Sequence, residues 1–249
     1  LYVFAFLLWH RIGHLGQGQW WRYLLLGLAC GTAFSIELPS GGIAAWFLFL
    51  SFLKDWKKGG LAIVVAGLPV LINLYLYYYL SGVWKPFYMQ PEVYRYEGSY
   101  WQNLQGIDAE RPATGIYLFH MLIGFRGLFS MTPILLLGII SFFRYSIKKG
   151  GFFRREFMGV LLAIVAMIFF MVDRTWNYGG VCVGMRWFIC FMPLLVLMSL
   201  PLVDAWRQKT WGKVLLIGLL LWSIPWNIEA MYEEAFITGL FERLWFSVF

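Results

Sequence analysis

Charged residues are scarce in this sequence. Only 13% of its 249 residues are Asp, Glu, Lys or Arg, whereas 61% are hydrophobic and 20% are aromatic. A soluble domain carries about 25% charged residues, so this composition has more apolar side chains than a water-soluble fold can bury. The sequence therefore predicts an all-α membrane protein, a polytopic bundle of transmembrane helices.

Cysteine and histidine are also rare, with three residues of each. Cys30, Cys182 and Cys190 show no CxxC spacing, so no disulfide framework is indicated. His10 and His14 could share one face of a helix, but no third metal ligand lies near them in the sequence. We predict no metal site and no resident cofactor, and the few scattered acidic residues leave the metal dependence of any reaction open.

The first nine residues are apolar from the start, with no initiator Met and no preceding basic region. This stretch is shorter than the roughly 20 residues that a membrane-spanning helix needs. A signal peptide would carry a basic region ahead of its apolar core. We therefore expect the chain to begin inside a helix, as part of a longer protein with a further N-terminal portion.

Apolar runs along the chain are candidate membrane spans. They lie at about 20–36, 41–53, 60–80, 128–143, 157–172, 187–203 and 213–228. The first two are short, so they could form a tight hairpin or a broken pair that does not fully cross, with the break at Pro39 and Gly41. We predict about seven spans plus a truncated first helix: N-terminal spans in 1–80, an extracytoplasmic loop in 81–127, and C-terminal spans and tail in 128–249.

The basic residues indicate which loops are cytoplasmic. Thirteen of the 20 Lys and Arg residues lie in the short segments 11–22, 54–58, 144–155 and 207–213. By the positive-inside rule these segments face the cytoplasm. They alternate along the chain with 81–127, 173–186 and the C-terminal tail, which are therefore predicted to lie outside. The net charge of +7 then reflects membrane topology and not nucleic-acid binding.

The predicted outside loop 81–127 is rich in Trp and Tyr interleaved with charged residues. These aromatic side chains could stack on sugar rings, or they could form the belt that Trp and Tyr make at the level of the lipid headgroups. Within the loop, apolar residues recur at helical spacing over 115–124. This spacing predicts a helix on the membrane surface, with His120 as an interfacial residue.

Three segments carry a resemblance to a known family. They are 126–133 (RGLFSMTP), which opens one span, 178–187 (YGGVCVGMRW), which precedes Pro193, and 31–39 (GTAFSIELP). Together they resemble the C-terminal half of bacterial C-type glycosyltransferases, multispan enzymes similar to protein O-mannosyltransferases and lipid A aminoarabinose transferases. The family hairpin usually reads Glu-Tyr-Pro, so Leu38 departs from it. The aromatic helix end at 75–79 is also similar, although the family's usual Asn is replaced.

The resemblance implies transfer of a sugar from a polyprenyl-phosphate donor to an acceptor at the outer face of the bacterial cytoplasmic membrane. Displacement at the anomeric carbon needs a carboxylate that takes the proton of the acceptor hydroxyl. It also needs positive charge near the departing phosphate. In this superfamily the acidic residue typically lies in the first outside loop, so the catalytic carboxylate is expected upstream of Leu1.

Two arginines are the candidates for binding the donor phosphate. Arg186 is the first, because a guanidinium group offers a planar fork that suits phosphate oxygens. Its alternative role is a salt bridge with Asp173 or a headgroup contact. Arg126, at the same predicted outer boundary, is the second candidate, and its alternative role is that of an interfacial anchor.

The predicted loop and acceptor side contains six further residues: Glu37, Asp173, Arg174, Tyr178, Gly179 and Gly180. Glu37 could bind the acceptor or orient a cation, or it could simply be solvated at the hairpin turn. Asp173 and Arg174 carry opposite charges that would order the loop. Gly179 and Gly180 allow close backbone approach, but the Lys-Ser/Thr of a phosphate-binding loop is missing.

Two other classes of function are alternatives to a glycosyltransferase. An ion-coupled transporter is disfavoured, because the charged residues gather at the ends of the spans and not at their centres. A non-catalytic subunit of a larger membrane complex stays open. Small residues such as Gly67, Gly138, Gly159 and Gly218 would let helices approach closely within one chain or between chains. The predicted partners are membrane lipid, the lipid-linked sugar and, for a subunit, other membrane proteins.

Overall fold

A computed structural model describes residues 1–103, 112–148, 150–175, 178 and 186–232. Across this part of the chain the regular secondary structure is helical, and no strand is present. The predicted all-α class is therefore confirmed. The chain divides into two units, Leu1–Arg111 and Pro112–Phe249.

The described part of the first unit contains four long helices and one short helix. They are α1 (Tyr2–Gly13), α2 (Trp20–Ile36), α3 (Gly41–Lys54), α4 (Trp56–Ser81) and α5 (Pro91–Tyr94). Single 3₁₀ turns follow at Phe87–Met89 and Tyr100–Gln102, and another, Leu38–Ser40, joins α2 to α3. Helices α1 to α4 pack on one another.

The α2–α3 connection is the tight hairpin that the sequence allowed. Pro39 lies in the 3₁₀ turn between the two helices. The Ser40 hydroxyl donates to the Ala33 carbonyl oxygen at 3.1 Å and also bonds the Glu37 carbonyl. The Tyr2 hydroxyl donates to the Ser40 carbonyl oxygen at 2.8 Å, so α1 also stabilises the turn.

Helices α2 and α4 cross with almost no space between their backbones. A Cβ atom at Gly27 would lie 2.3 Å from the Ala62 carbonyl oxygen, and one at Gly31 would lie 2.1 Å from the Ala66 carbonyl oxygen. Only glycine fits at both positions. The pattern Gly27-xxx-Gly31 facing Ala62-xxx-Ala66 is the small-residue packing that membrane helices use.

One hydrogen bond between side chain and backbone joins α2 and α4 beyond this crossing. The Asn73 Nδ2 atom donates to the Ser35 carbonyl oxygen at 2.7 Å. The Ser35 hydroxyl donates back to the Gly31 carbonyl oxygen at 2.8 Å. A polar side chain on an apolar helix is thus satisfied by the partner helix, which is the expected arrangement where water is excluded.

The α3–α4 connection is a single residue, Asp55. Its carboxylate accepts the Lys58 backbone N–H at 3.1 Å and caps the N-terminus of α4. This hydrogen bond, together with the Lys58 side chain, lowers the pKa of Asp55 below its ordinary value. Gly59 of α4 packs directly against the backbone of α3. A Cβ atom at this position would lie 2.4 Å from the Phe52 Cα atom, so only glycine fits.

The second unit has six helices in the part of the chain that the structure describes. They are α6 (Thr114–Leu122), α7 (Leu128–Met131), α8 (Leu136–Ser141), α9 (Arg154–Arg174), α10 (Met192–Trp206) and α11 (Thr210–Tyr232). The helix expected over 115–124 is present as α6. The run 128–143 is not one helix: Pro133 begins a 3₁₀ turn between α7 and α8, and π-helical residues Phe142–Ser146 follow α8.

One of the small residues singled out in the sequence lies in a close helix contact. A Cβ atom at Gly138 of α8 would lie 2.4 Å from the Leu195 carbonyl oxygen of α10. At Gly67 and Gly218, by contrast, no heavy atom of the described residues lies within 4 Å of such a Cβ atom, apart from the backbone of the same helix around the glycine. Glycine content alone therefore does not identify the helix contacts.

Two of the described helices, α4 and α9, are long and apolar enough to cross a membrane. Four other apolar helical stretches are shorter: Leu38–Lys54, Pro133–Ser146, Met192–Trp206 and Thr210–Trp226. Helices thus occupy the predicted runs, but only these two among the described helices combine the length and the apolar character of a complete span. The arrangement of seven spans stays a prediction.

Candidate functional site

Arg126 lies in a sharply folded connection between α6 and α7 and is only 7% exposed. The Gly127 N–H donates to the Gly124 carbonyl oxygen at 3.0 Å, and the Ser130 hydroxyl donates to the same oxygen at 2.6 Å. Side chains at the two glycines would collide with their neighbours. A Cβ atom at Gly124 would lie 2.2 Å from the His120 Nδ1 atom. The turn that carries Arg126 therefore depends on these glycines.

Three buried aromatic side chains, Tyr117, Phe125 and Tyr178, form what we term the aromatic cluster. The ring centroids of Tyr117 and Tyr178 lie 4.6 Å apart, and those of Phe125 and Tyr178 lie 5.5 Å apart. Each separation is typical of favourable aromatic pairs. Tyr178 has a positive φ of 53°, a conformation that a bulky residue adopts only when its surroundings impose it.

A hydrogen bond joins α6 to the residue that follows α9. The Tyr117 hydroxyl and the Thr175 Oγ1 atom are 2.8 Å apart. The Thr175 hydroxyl also bonds the Met171 carbonyl oxygen at 3.0 Å in the last turn of α9. Tyr117 thus contacts both Thr175 and Tyr178, so the start of the glycine-containing loop is held on α6.

His120 lies next to the aromatic cluster on the same helix. Its ring centroid is 4.4 Å from that of Phe125 and 5.2 Å from that of Phe119. Burial lowers the pKa of His120 below its ordinary value, because desolvation disfavours the charged imidazolium. The neutral imidazole is therefore the favoured form beside the turn that carries Arg126.

Arg186 begins the 3₁₀ turn Arg186–Phe188 and is exposed. Asp173 and Arg174, at the end of α9, form an ion pair of 2.8 Å between the Arg174 Nε atom and the Asp173 carboxylate. Both side chains are largely exposed, so the pair contributes little to stability. The role expected of these two residues, to order the loop that follows, stays a prediction.

Glu37 belongs to the first unit and lies at the end of α2 in the α2–α3 turn, where it is partly buried. Its backbone N–H donates to the Ala33 carbonyl oxygen at 3.0 Å.

Gly179 and Gly180 lie outside the described residues. Among the predicted site residues, the structure thus brings Tyr178 against Phe125, the immediate neighbour of Arg126.

Sequence reasoning missed Tyr117, Phe125 and Thr175. One signal was available: Tyr117 and Met121 stand four residues apart in α6 and form its buried face. The rings of His10 and His14 are adjacent, with centroids 5.4 Å apart. Within the described ranges no three His, Cys, Asp or Glu residues come together to hold a metal ion.

No family model, no curated protein and no solved structure matches the chain. Function is therefore inferred from the residues of the chain and from their geometry.

Proposed function

We propose that this chain is the membrane-embedded helical part of a C-type glycosyltransferase. The enzyme would move a sugar from a polyprenyl-phosphate donor to an acceptor at the outer face of the bacterial cytoplasmic membrane. One observation carries the proposal. The segments 126–133 and 178–187, which hold the family-like motifs, are distant in sequence, yet Tyr178 packs on Phe125, the residue before Arg126.

The exposed side chains of α4 support a membrane location. Only 17% of its most apolar stretch is buried, and Val64 and Tyr79 are 69% and 74% exposed. Each square ångström of apolar surface left in water costs about 25 cal/mol. A long helix that is apolar on its exposed side is therefore suited to lipid. This feature distinguishes α4 from the buried core helix of a soluble protein.

The alternation of cytoplasmic and outer loops is also supported in the first unit. The Lys58 ammonium group at the start of α4 donates to the Gly18 carbonyl oxygen before α2, at 2.9 Å. The Lys54 ammonium group at the end of α3 lies 3.4 Å from the Gly13 carbonyl oxygen. The two basic segments, 11–22 and 54–58, thus meet at one end of the unit, as the positive-inside rule requires of loops on the same side.

In the proposed reaction the bond between the anomeric carbon and the lipid phosphate oxygen breaks, and a bond to the acceptor oxygen forms. The acceptor proton passes to a catalytic carboxylate, and the lipid phosphate departs with the bonding electrons. Arg126 and Arg186 would stabilise the negative charge on that phosphate. A cation in a site shielded from water does this more effectively than one in bulk solvent, and Arg126 is nearly buried.

A non-catalytic subunit of a larger membrane complex is the second candidate, and one observation favours it. At Gly67 on α4 and Gly218 on α11, no heavy atom of the described residues lies within 4 Å of a Cβ atom, apart from the backbone of the same helix around each glycine. Exposed small residues on apolar helices are where another membrane helix can approach closely. A subunit would use such positions for assembly and would show no transfer.

The test is sugar transfer by membranes that hold the intact protein, with a panel of labelled polyprenyl-phosphate donors. Arg126→Ala and Arg186→Ala should each reduce transfer by about 100-fold or more, the effect of removing one group that stabilises a developing anion. Arg207→Ala is the matched control, since this exposed arginine pairs with Asp204 near the end of α10. It should retain wild-type activity.

Each variant is compared at matched expression, and Arg126→Lys separates loss of charge from loss of folding. Partial activity in Arg126→Lys with none in Arg126→Ala would support the phosphate role. Absence of transfer from the wild-type protein with every donor would reject the enzyme and favour the subunit.

A further inference from the structure

Basic residues from two connections converge at one end of the first unit, which we term the basic end: Arg11, Arg22, Lys54, Lys57 and Lys58. They come from the end of α1, the start of α2, the end of α3 and the start of α4. The bonds from Lys54 and Lys58 to the carbonyl oxygens of Gly13 and Gly18 tie the two connections together. The two connections that form the basic end are therefore in contact with each other.

Two of these cations form hydrogen bonds or ion pairs that stabilise the first unit. Arg22 is 8% exposed, and its guanidinium group donates to the Gln17 carbonyl oxygen at 2.7 Å and bonds the Gln19 side chain. Lys58 forms an ion pair of 3.1 Å with Asp55. Asp55 is the only carboxylate at this end of the described first unit, and it is already engaged by Lys58 and by the N-terminus of α4.

The other three cations, Arg11, Lys54 and Lys57, are exposed. Among the described residues no carboxylate at this end is left to balance them, because Asp55 is held by Lys58. Exposed positive charge from three helices therefore accumulates on one surface. Such a surface is complementary to a polyanionic partner.

Exposed tryptophans frame the same surface: Trp20, Trp21 and Trp56. The Lys57 ammonium group lies 5.5 Å from the centre of the Trp56 ring, and the Arg22 guanidinium lies 4.7 Å from that of Trp21. Tryptophan concentrates where a membrane meets water. Further along α4, the side chains of Leu61, about one turn after Lys57, and Val64, about two turns after it, are exposed and apolar. The change from cationic and indole side chains to aliphatic side chains along α4 therefore matches the layers of a lipid leaflet, from headgroup through interface to acyl chain.

We propose that the basic end binds the headgroups of anionic phospholipids in the cytoplasmic leaflet. Arg11, Lys54 and Lys57 contact the phosphate groups, and the three tryptophans lie at the boundary with the acyl chains. Nucleic acid or an acidic protein would match the charge, but neither would cover the adjoining aliphatic face of α4. The inference requires α4 to cross a membrane and does not require sugar transfer, so the two proposals can fail separately.

The experiment is native mass spectrometry of the purified full chain in detergent with phosphatidylglycerol or phosphatidylcholine. Wild-type protein should retain phosphatidylglycerol in preference. A basic residue near an anionic membrane surface contributes about 1 kcal/mol, so Lys54→Gln with Lys57→Gln should weaken phosphatidylglycerol binding by about fivefold for each charge removed. Phosphatidylcholine binding should not change.

The matched control is the double variant Lys85→Gln with Arg95→Gln. Both residues are exposed and follow the end of α4, a helix of 26 residues and about 39 Å whose first turn belongs to the basic end. This variant loses the same two charges and should retain the wild-type lipid preference. Equal retention of both lipids by wild-type protein would overturn the proposal, as would an equal loss of phosphatidylglycerol in the two double variants.

Discussion

Gly31 of α2 lies so close to Ala66 of α4 that a Cβ atom on the glycine would stand 2.1 Å from the alanine carbonyl oxygen. No L side chain fits there unless the backbones separate. The same holds one turn earlier for Gly27 and Ala62. This crossing packs the longest described helix, α4, against α2.

Replacing Gly31 by leucine should therefore destabilise the first unit. We expect a loss of about 1–3 kcal/mol or more, the usual cost of forcing extra atoms into a packed contact. Thermal unfolding of the purified protein in detergent measures the change. Gly67→Leu is the matched control, because it makes the same substitution on the apolar helix α4 with no described heavy atom near the new Cβ atom. Equal destabilisation by the two variants would contradict the close crossing.

The hydrogen bond between Tyr117 and Thr175 should contribute measurably to the stability of the second unit. Tyr117→Phe and Thr175→Val each remove one partner and nearly preserve shape. A typical intramolecular hydrogen bond contributes about 1 kcal/mol, so each single variant should lose about that amount. The double variant should lose less than the sum of the two, because the bond can be lost only once.

This double-mutant cycle is read from thermal unfolding, and sugar transfer is measured in parallel. Strictly additive losses would show that the two hydroxyl groups do not interact. If the loop after α9 positions the donor phosphate, Tyr117→Phe should also reduce transfer in the glycosyltransferase assay.

Acidification should destabilise the protein through His120. Burial lowers its folded-state pKa below the ordinary value of 6.5. Just below pH 6.5 the unfolded chain therefore binds more protons at this residue than the folded chain does. Stability thus falls as the pH drops below about 6.5, and the contribution of neutral His120 is complete above it.

The measurement compares melting temperatures of wild type and His120→Gln between pH 5 and pH 8. The variant lacks the titrating group, so its melting temperature should decline less steeply toward pH 5. Parallel curves for the two proteins would show that His120 does not carry the effect.

Local features of the fold were largely predictable from the sequence. Pro39 and Gly41 correctly indicated the break between α2 and α3, because proline cannot donate the backbone hydrogen bond that a continuing helix needs. The apolar spacing over 115–124 correctly indicated α6. The run 128–143 was predicted as one span, but Pro133 divides it, so the same rule applied there would have improved the prediction.

Contacts between distant segments were not predictable in the same way. Gly67, Gly138 and Gly218 look alike in the sequence, yet of these three only Gly138 closely faces a neighbouring helix among the described residues. The Gly27–Gly31 pair was not singled out. Which face of an apolar helix meets a partner depends on the crossing geometry. An almost uniformly apolar helix has no polar face to reveal that geometry.

The sequence by itself determined the helical class, the positions of the breaks and the separation of basic from apolar segments, because these depend on composition and on neighbours within a few residues. Only the tertiary structure decided that Tyr178 packs on Tyr117 and Phe125, that Arg126 and Arg22 are buried, and that Lys58 pairs with Asp55 while Lys57 stays exposed. Those outcomes depend on how whole helices pack, and close packing selects among side chains that local pattern treats as equivalent.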